Sequence, residues 1–320
     1  MILTGDVGGT KTLLALHDDD GRIVVRARYP SRSSETFERL VAQFLDEVAP
    51  ATPRRACFGI AGPVLGERVK VTHLPWQIDA HSLAARFGLA QVHLLNDFAA
   101  AAHGLAALRA DDLLTLQPGE PLPARPQVVL GAGTGLGLAF VLGDSVLSGE
   151  GGHLAFAPAD KLQDDLWHWL RQRGGDRVEV EQVVSGRGLA HIYEFLLDRS
   201  QARSPEARGP LLRDDPAAAI AHRALGDGDP LSLAAVDLFL SCYGALAGDH
   251  ALAVLARGGV YISGGMAPKL LPRLVAGGFL AAFCDKGAHS EWMRACPVHV
   301  VTNPDLPLLG AARFARLRIG

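Results

Sequence analysis

The chain has 320 residues, 48% hydrophobic and 20% charged, with a formal net charge of −3. That is the balance of a globular enzyme of one or two domains with a large core, and it lacks the basic stripe that a nucleic-acid surface needs. Cys57, Cys242, Cys284 and Cys296 are far apart with no C-x-x-C pair, which argues against a zinc or redox motif and for a reduced, cytoplasmic setting. The N-terminus enters a strand with no leader-like pattern, and no apolar run reaches about 18 residues, so neither a signal peptide nor a membrane span is expected.

In chain order, Met1-Ile2-Leu3 leads into Gly5-Asp6-Val7-Gly8-Gly9-Thr10-Lys11-Thr12, and Leu13 to Leu16 leads out. That is strand, glycine turn, strand. Asp18-Asp19-Asp20-Gly21 then turns the chain into a strand over 22–28. Phe37, Leu40, Val41, Phe44, Leu45 and Val48 have helical spacing within 33–49, with Ser33 or Ser34 as the cap. Strands follow at Arg55 to Ile60 and Val92 to Leu95. Asn96-Asp97 opens an Ala-rich helix to about Leu108, giving βββαβα over residues 1–108. Pro118, Pro121, Pro123 and Pro126 mark a loop near the crossing into a second lobe.

The pattern then restarts. Gln127 to Leu130 enters Gly131-Ala132-Gly133-Thr134-Gly135-Leu136-Gly137, Leu138 to Leu142 leaves it, and a third strand lies near Val146-Leu147. Helices are predicted at about 161–173, 179–198, 215–225 and 229–256, with Gly258-Gly259 ending the last. Residues 200–213 read as an exposed polar loop. Val260 to Ile262 is a strand before Ser263-Gly264-Gly265, and Pro297 to Val301 is a final strand before a helix at 307–317. The restart is a duplication of fold rather than of sequence.

Several of these residues can carry chemistry. Glycine lets backbone N–H groups approach a polyphosphate. Asp6 beside the first turn can hold Mg²⁺, directly or through water, or form an Asx turn. The second turn cannot be a dinucleotide fingerprint, because a strand and not a helix follows it. Asn96-Asp97 either caps its helix or places a general base at the helix N-terminus. Glu150-Gly151-Gly152-His153 offers too few ligands for a metal but suits a polyol, and Glu181 can add an acceptor or sit exposed on a helix. Gly264-Gly265 fits an adenine pocket or tight helix–strand packing.

With these motifs in this order, and with Ser185-Gly186-Arg187-Gly188-Leu189, the chain resembles the bacterial glucokinases of the sugar kinase/actin/heat-shock ATPase superfamily from end to end. The resemblance implies an α/β, two-lobe actin-like ATPase (ribonuclease-H-like) fold, with a small lobe of 1–108 plus about 302–320, a large lobe of 109–301 and a cleft for ATP and glucose. It implies Asp97 as catalytic base and Asn96, Asp97, Glu150, His153 and Glu181 as glucose contacts. It implies phosphate contacts from Gly8, Gly9, Thr10, Lys11, Gly133 and Thr134, with Gly264 and Gly265 completing the ATP site and Mg²⁺ on Asp6. A cytoplasmic homodimer, with no nucleic-acid or membrane partner, goes with it.

There are departures from the family pattern. Thr10-Lys11-Thr12 looks like the related repressor/kinase group, and His73 stands where Asn is common. That group's zinc cysteines are absent, so no structural metal is expected. The first glycine turn begins at residue 5, which leaves no room before it for a helix-turn-helix and counts against a repressor. A kinase for another hexose (mannose, fructose or an amino sugar) and a non-catalytic sugar sensor are the rival readings.

Overall fold

In the computed structural model, which describes residues 1–64, 66–72, 74–200 and 205–318, each glycine turn joins two strands that are neighbours in a sheet. The elements begin β1 (Ile2–Val7), β2 (Lys11–His17), β3 (Ile23–Pro30), α1 (Phe37–Glu47), β4 (Arg55–Ile60), β5 (Arg68–Lys70), β6 (Gln77–Asp79), α2 (Ala80–Phe87), β7 (Gln91–Asn96) and α3 (Asp97–Gly104). Next come β8 (Leu113–Gln117), β9 (Gln127–Ala132), β10 (Leu136–Leu142), β11 (Ser145–Gly149), α4 (Lys161–Gly174), α5 (Gly186–Ser200), α6 (Pro205–Arg208), α7 (Pro216–His222) and α8 (Pro230–Val254). Last come β12 (Gly259–Ser263), α9 (Met266–Lys269), α10 (Leu271–Val275), α11 (Gly278–Cys284), α12 (Ser290–Arg294), β13 (Val298–Val301) and α13 (Leu306–Leu317).

One sheet has the order β3-β2-β1-β4-β7, with β1 antiparallel to β2 and parallel to β4. The other has the order β11-β10-β9-β12-β13-β8, with β12 parallel to both β9 and β13. Numbered from the first strand of each half, both sheets follow 3-2-1-4-5, and β8 adds an antiparallel edge to the second. The duplication expected from the two glycine turns is therefore present in the topology.

By contacts the chain divides into two compact units. One is Met1–Asp112 with Ala139–Gly149 and the residues from Asn303; the other is Leu113–Leu138 with Glu150–Thr302.

In the first unit, α1 buries Phe37, Leu40, Val41 and Phe44, an i, i+3, i+4, i+7 stripe, among residues that include Leu3, Val7, Phe58 and Ile60. The opposite face of the sheet, carrying Ile2 and Cys57, is covered by Ala311 and Ala315 of α13. That alternation along β1 is the period-2 rule of a strand. α13 crosses α3 so closely that a Cβ on Gly310 would overlap the Ala100 carbonyl oxygen, and one on Gly104 would overlap that of Leu306.

In the second unit, α8 is apolar over most of its length, with Asp237 and Asp249 exposed. It is the one described helix long and apolar enough to cross a membrane by length and composition, yet 67% of its most apolar window is buried inside the protein. Its Tyr243 hydroxyl accepts from the Ala132 N–H at 3.2 Å and so pins the end of β9 where the second glycine turn begins.

Several local expectations change. α1 starts at Phe37 because Thr36, not Ser33 or Ser34, accepts from the Arg39 N–H. The helix expected over 179–198 is split into a 3₁₀ turn at Val180–Gln182 and α5 from Gly186. Ser185 starts α5 by accepting from the Gly188 N–H at 3.0 Å. The β5–β6 hairpin and α2 interrupt the simple βββαβα reading. In the predicted 200–213 loop, residues 201–204 lie outside the described residues, and the rest forms α6 and a 3₁₀ turn.

Candidate active site

In the first unit, β1 and β2 present the first glycine turn. Gly8 N–H donates to the Lys11 carbonyl at 3.0 Å, and Ser31 Oγ donates to the Gly8 carbonyl at 2.6 Å. Among the described residues nothing accepts from the N–H groups of Gly9 or Thr10, so the turn presents two donors. Thr10 and Lys11 are exposed. Asp6 is half-buried at the end of β1, and its carboxylate has no hydrogen-bond or ion-pair partner among the described residues. Desolvation pushes its pKa up to about 6 against the opposing pull of Lys11.

β7 delivers Asn96 and Asp97 to the start of α3. Asn96 caps the helix: its Oδ1 accepts from the N–H groups of Phe98 and Ala99 at 2.9 and 3.1 Å. Its Nδ2 donates to the Gly62 carbonyl at 3.2 Å, which leaves one amide hydrogen. Asp97 occupies the first helical position, half-buried, and its Oδ1 accepts from the Phe98 N–H at 2.9 Å. Capping and a carboxylate at the helix N-terminus thus coexist, on adjacent residues. His73 lies outside the described residues.

In the second unit, the Gly133–Gly135 turn is held from three directions. Gly133 N–H donates to the Gly135 carbonyl, Gly186 N–H donates to the Gly133 carbonyl, both at 2.8 Å, and Glu181 Oε2 accepts from the Leu136 N–H at 2.9 Å. Thr134 is exposed, and the N–H groups of Thr134 and Gly135 have no acceptor among the described residues. A Cβ on Gly135 would overlap the Glu181 carboxylate, so a larger residue there would displace that side chain from the Leu136 N–H. A Cβ on Gly133 would meet nothing within 4 Å, and its φ is not left-handed. Packing and backbone conformation therefore give no steric reason for glycine at 133.

Gly264 has φ +83°, and a Cβ there would lie 2.6 Å from the Ala132 carbonyl oxygen, so backbone geometry accounts for it. Gly265 has open space around the same position.

Glu150 is exposed and precedes a 3₁₀ turn, Gly151–His153. His153 is exposed, and its Nδ1 lies 2.8 Å from Glu179 Oε2. That hydrogen bond, with the charges of Glu179, Glu181 and Glu150, raises the His153 pKa against desolvation. Glu181 is not an exposed helix residue: it joins the exit of the glycine turn to the 3₁₀ segment, with Arg187 3.7 Å from its other oxygen. In this unit the structure brings Glu150, His153, Glu181 and the second turn into one neighbourhood. Glu179 belongs there too and was missed from sequence. Its only sequence signal is the alternation Glu179-Val180-Glu181, which sets two carboxylates two residues apart.

No group of three or more His, Cys, Asp or Glu suited to a metal occurs among the described residues.

A family model described as Glucokinase matches residues 3–318. A glucokinase of Nostoc punctiforme is 38% identical, covering 98% of both chains. Among solved structures, a glucokinase from an Antarctic psychrotroph has a TM-score of 0.84 at 30% identity, over 99% of this chain and 98% of that one. A ROK family glucokinase from Streptomyces griseus, solved in complex with glucose and AMPPNP, has a TM-score of 0.69 at 23% identity, over 98% and 99%, a likeness of fold.

Proposed function

Because the chain belongs to the glucokinase family, we propose that it transfers the γ-phosphoryl group of ATP to the 6-hydroxyl of D-glucose. The observation that carries this reading is the match of the family over 3–318, which spans every residue of both candidate half-sites. The Streptomyces griseus neighbour, which shares the fold, was solved with glucose and an ATP analogue.

In this mechanism Asp97 accepts the proton of the 6-hydroxyl as the oxygen attacks the γ-phosphorus. The start of α3 favours the negative charge the base needs. Asn96 contributes its remaining amide hydrogen to the sugar. Glu150 and Glu181 accept from sugar hydroxyls, and His153 binds through Nε2. The N–H groups of Gly9, Thr10, Thr134 and Gly135 stabilise the phosphoryl oxygens, with Gly8, Lys11 and Gly133 shaping the approach and Gly264 and Gly265 bordering the nucleotide. Phosphoryl transfer leaves little covalent work to the protein, so positioning and fixed dipoles carry the rate.

Asp6 fits Mg²⁺. A half-buried carboxylate without a hydrogen-bond partner among the described residues, its pKa driven up by desolvation, gains from a cation beside it. A lone carboxylate completed by phosphate oxygens and waters is how magnesium is commonly held. The ion, when bound, offsets charge on the phosphates. A homodimer in the cytoplasm is the proposed setting.

ADP release by the purified protein with Mg-ATP, across a panel of hexoses and a sugar-free blank, tests the reading. Turnover with glucose above the others is expected. Turnover chiefly with another hexose keeps the chemistry and moves the specificity. Glucose binding without turnover overturns the ATP-dependent reading in favour of a sensor or a donor other than ATP.

A further inference from the structure

Glu179 has no place in the mechanism above, yet it holds the one imidazole that does. The isolated bridge Ala155↔Glu179 brings the segment after the Gly151–His153 turn against the segment before Glu181. Across it, Glu179 Oε2 lies 2.8 Å from His153 Nδ1. An ionised carboxylate only accepts, so Nδ1 must carry the hydrogen, and in the neutral ring Nε2 is then an acceptor. Glu179 is itself fixed. Its N–H donates to Gln182 Oε1 at 2.8 Å, and Arg177 lies 3.8 Å from its Oε1 while donating to the His153 carbonyl at 2.8 Å. The charged groups facing the imidazole are therefore Glu179, Glu181 and Glu150, with Arg177 behind Glu179.

We infer that Glu179 is a positioning residue for sugar binding: it locks His153 in the Nδ1–H tautomer so that Nε2 accepts a hydrogen bond from a hydroxyl of the hexose. The inference rests on the reading that His153 contacts the sugar. Without Glu179 the ring is free to rotate and to adopt the Nε2–H form, which cannot accept at that nitrogen. The expected loss is in sugar affinity, not in the phosphoryl-transfer step, because Glu179 touches no reacting atom.

The test uses the whole protein, with glucose as probe. In ¹⁵N NMR of the imidazole the wild type is expected in the Nδ1–H tautomer. Glu179→Ala should move it to Nε2–H and raise the KM for glucose several-fold to about tenfold with kcat little changed, the scale of one lost hydrogen bond. Glu179→Gln should retain the tautomer, because its amide oxygen still accepts from Nδ1–H, and should rescue most of the affinity. Both variants remove a carboxylate that raises the His153 pKa, so the acid limb of kcat/KM for glucose should move to lower pH. A purely structural role would leave that limb in place. An Nε2–H wild type, or an acid limb unmoved in both variants, overturns the inference. A wild-type Nδ1–H ring whose resonances do not respond to saturating glucose overturns the placement of His153 in the sugar site, while the Glu179 lock itself stands.

Discussion

At Asp97 the helix that positions the carboxylate takes its cap from the preceding residue. Asn96 supplies the cap, accepting from two backbone N–H groups. Asp97→Asn should therefore fold normally and bind glucose within a few-fold of wild type by calorimetry, while kcat falls by about 10²–10⁴, the usual effect of removing a positioned base. Near-normal turnover in that variant would take Asp97 out of the mechanism.

Asp6 makes the opposite compromise. Raising its pKa from 3.8 to about 6 means that the ionised form costs the folded state on the order of 2–3 kcal/mol. The sign follows from proton uptake: between the two pKa values the native state holds the proton better than the unfolded chain does. The cost is absent below the unfolded value and complete above the folded one. Asp6→Asn should accordingly melt several degrees above wild type at pH 8 without nucleotide, with the gain shrinking as pH falls through 6 towards 4. The same variant should lose most of its activity. Differential scanning fluorimetry across that pH range reads the first effect; an unchanged melting temperature at pH 8 would mean that the carboxylate is not desolvated.

Residues of this kind differ in how far sequence reveals them. Asn96-Asp97 is legible because a strand end, a cap and an Ala-rich helix are local patterns. Glu179 is not, because its meaning comes from a contact with His153 26 residues away. Glu181 shows as a carboxylate near glycines, but its bond to Leu136, 45 residues distant, is a product of tertiary structure.

Among the elements, the glycines separate into those the fold needs and those it does not. Gly310→Ala would drive a methyl group into the Ala100 carbonyl oxygen where α13 crosses α3. A rigid backbone obstacle of that kind should destabilise by about 1–3 kcal/mol or more and shift α3, lowering both melting temperature and kcat. Gly133→Ala meets nothing within 4 Å. It should leave the melting temperature within a degree or two and raise the KM for ATP, since only an incoming phosphate would contact the new methyl group. If Gly133→Ala alters neither quantity, the second turn is not a phosphate site. Element boundaries were the least legible part of the fold. Thr36 and Ser185 start α1 and α5 through single side-chain hydrogen bonds, and before Thr36 the nearby Ser33 and Ser34 offer the same chemistry. The three-residue strands β5 and β6 are too short to show periodicity.

For the molecule as a whole, both sheets repeat one strand order, and that much could be anticipated from two strand–glycine–strand units about 125 residues apart. The chain from about 302 is expected to join residues 1–108, but the sequence did not show that the first unit also takes the hairpin residues Ala139–Gly149. A chain ending at Thr302 should lose hydrogen-exchange protection in β1, β4 and α3, which α13 covers or crosses, while β9, β12 and α8 keep theirs. Equal loss in both units would show that they unfold as one.

The close crossing of α3 by α13 also has a meaning in time. A ribosome makes the helix that opens on Asp97 early and the helix that crosses it some 200 residues later. Until those last turns emerge, the Ala-rich surface of α3 has no cover and the proposed base no fixed address. A nascent chain should then stay inactive until α13 has emerged, however completely its middle has folded. The dozen residues of α13 would act as the clasp that turns a folded middle into an enzyme.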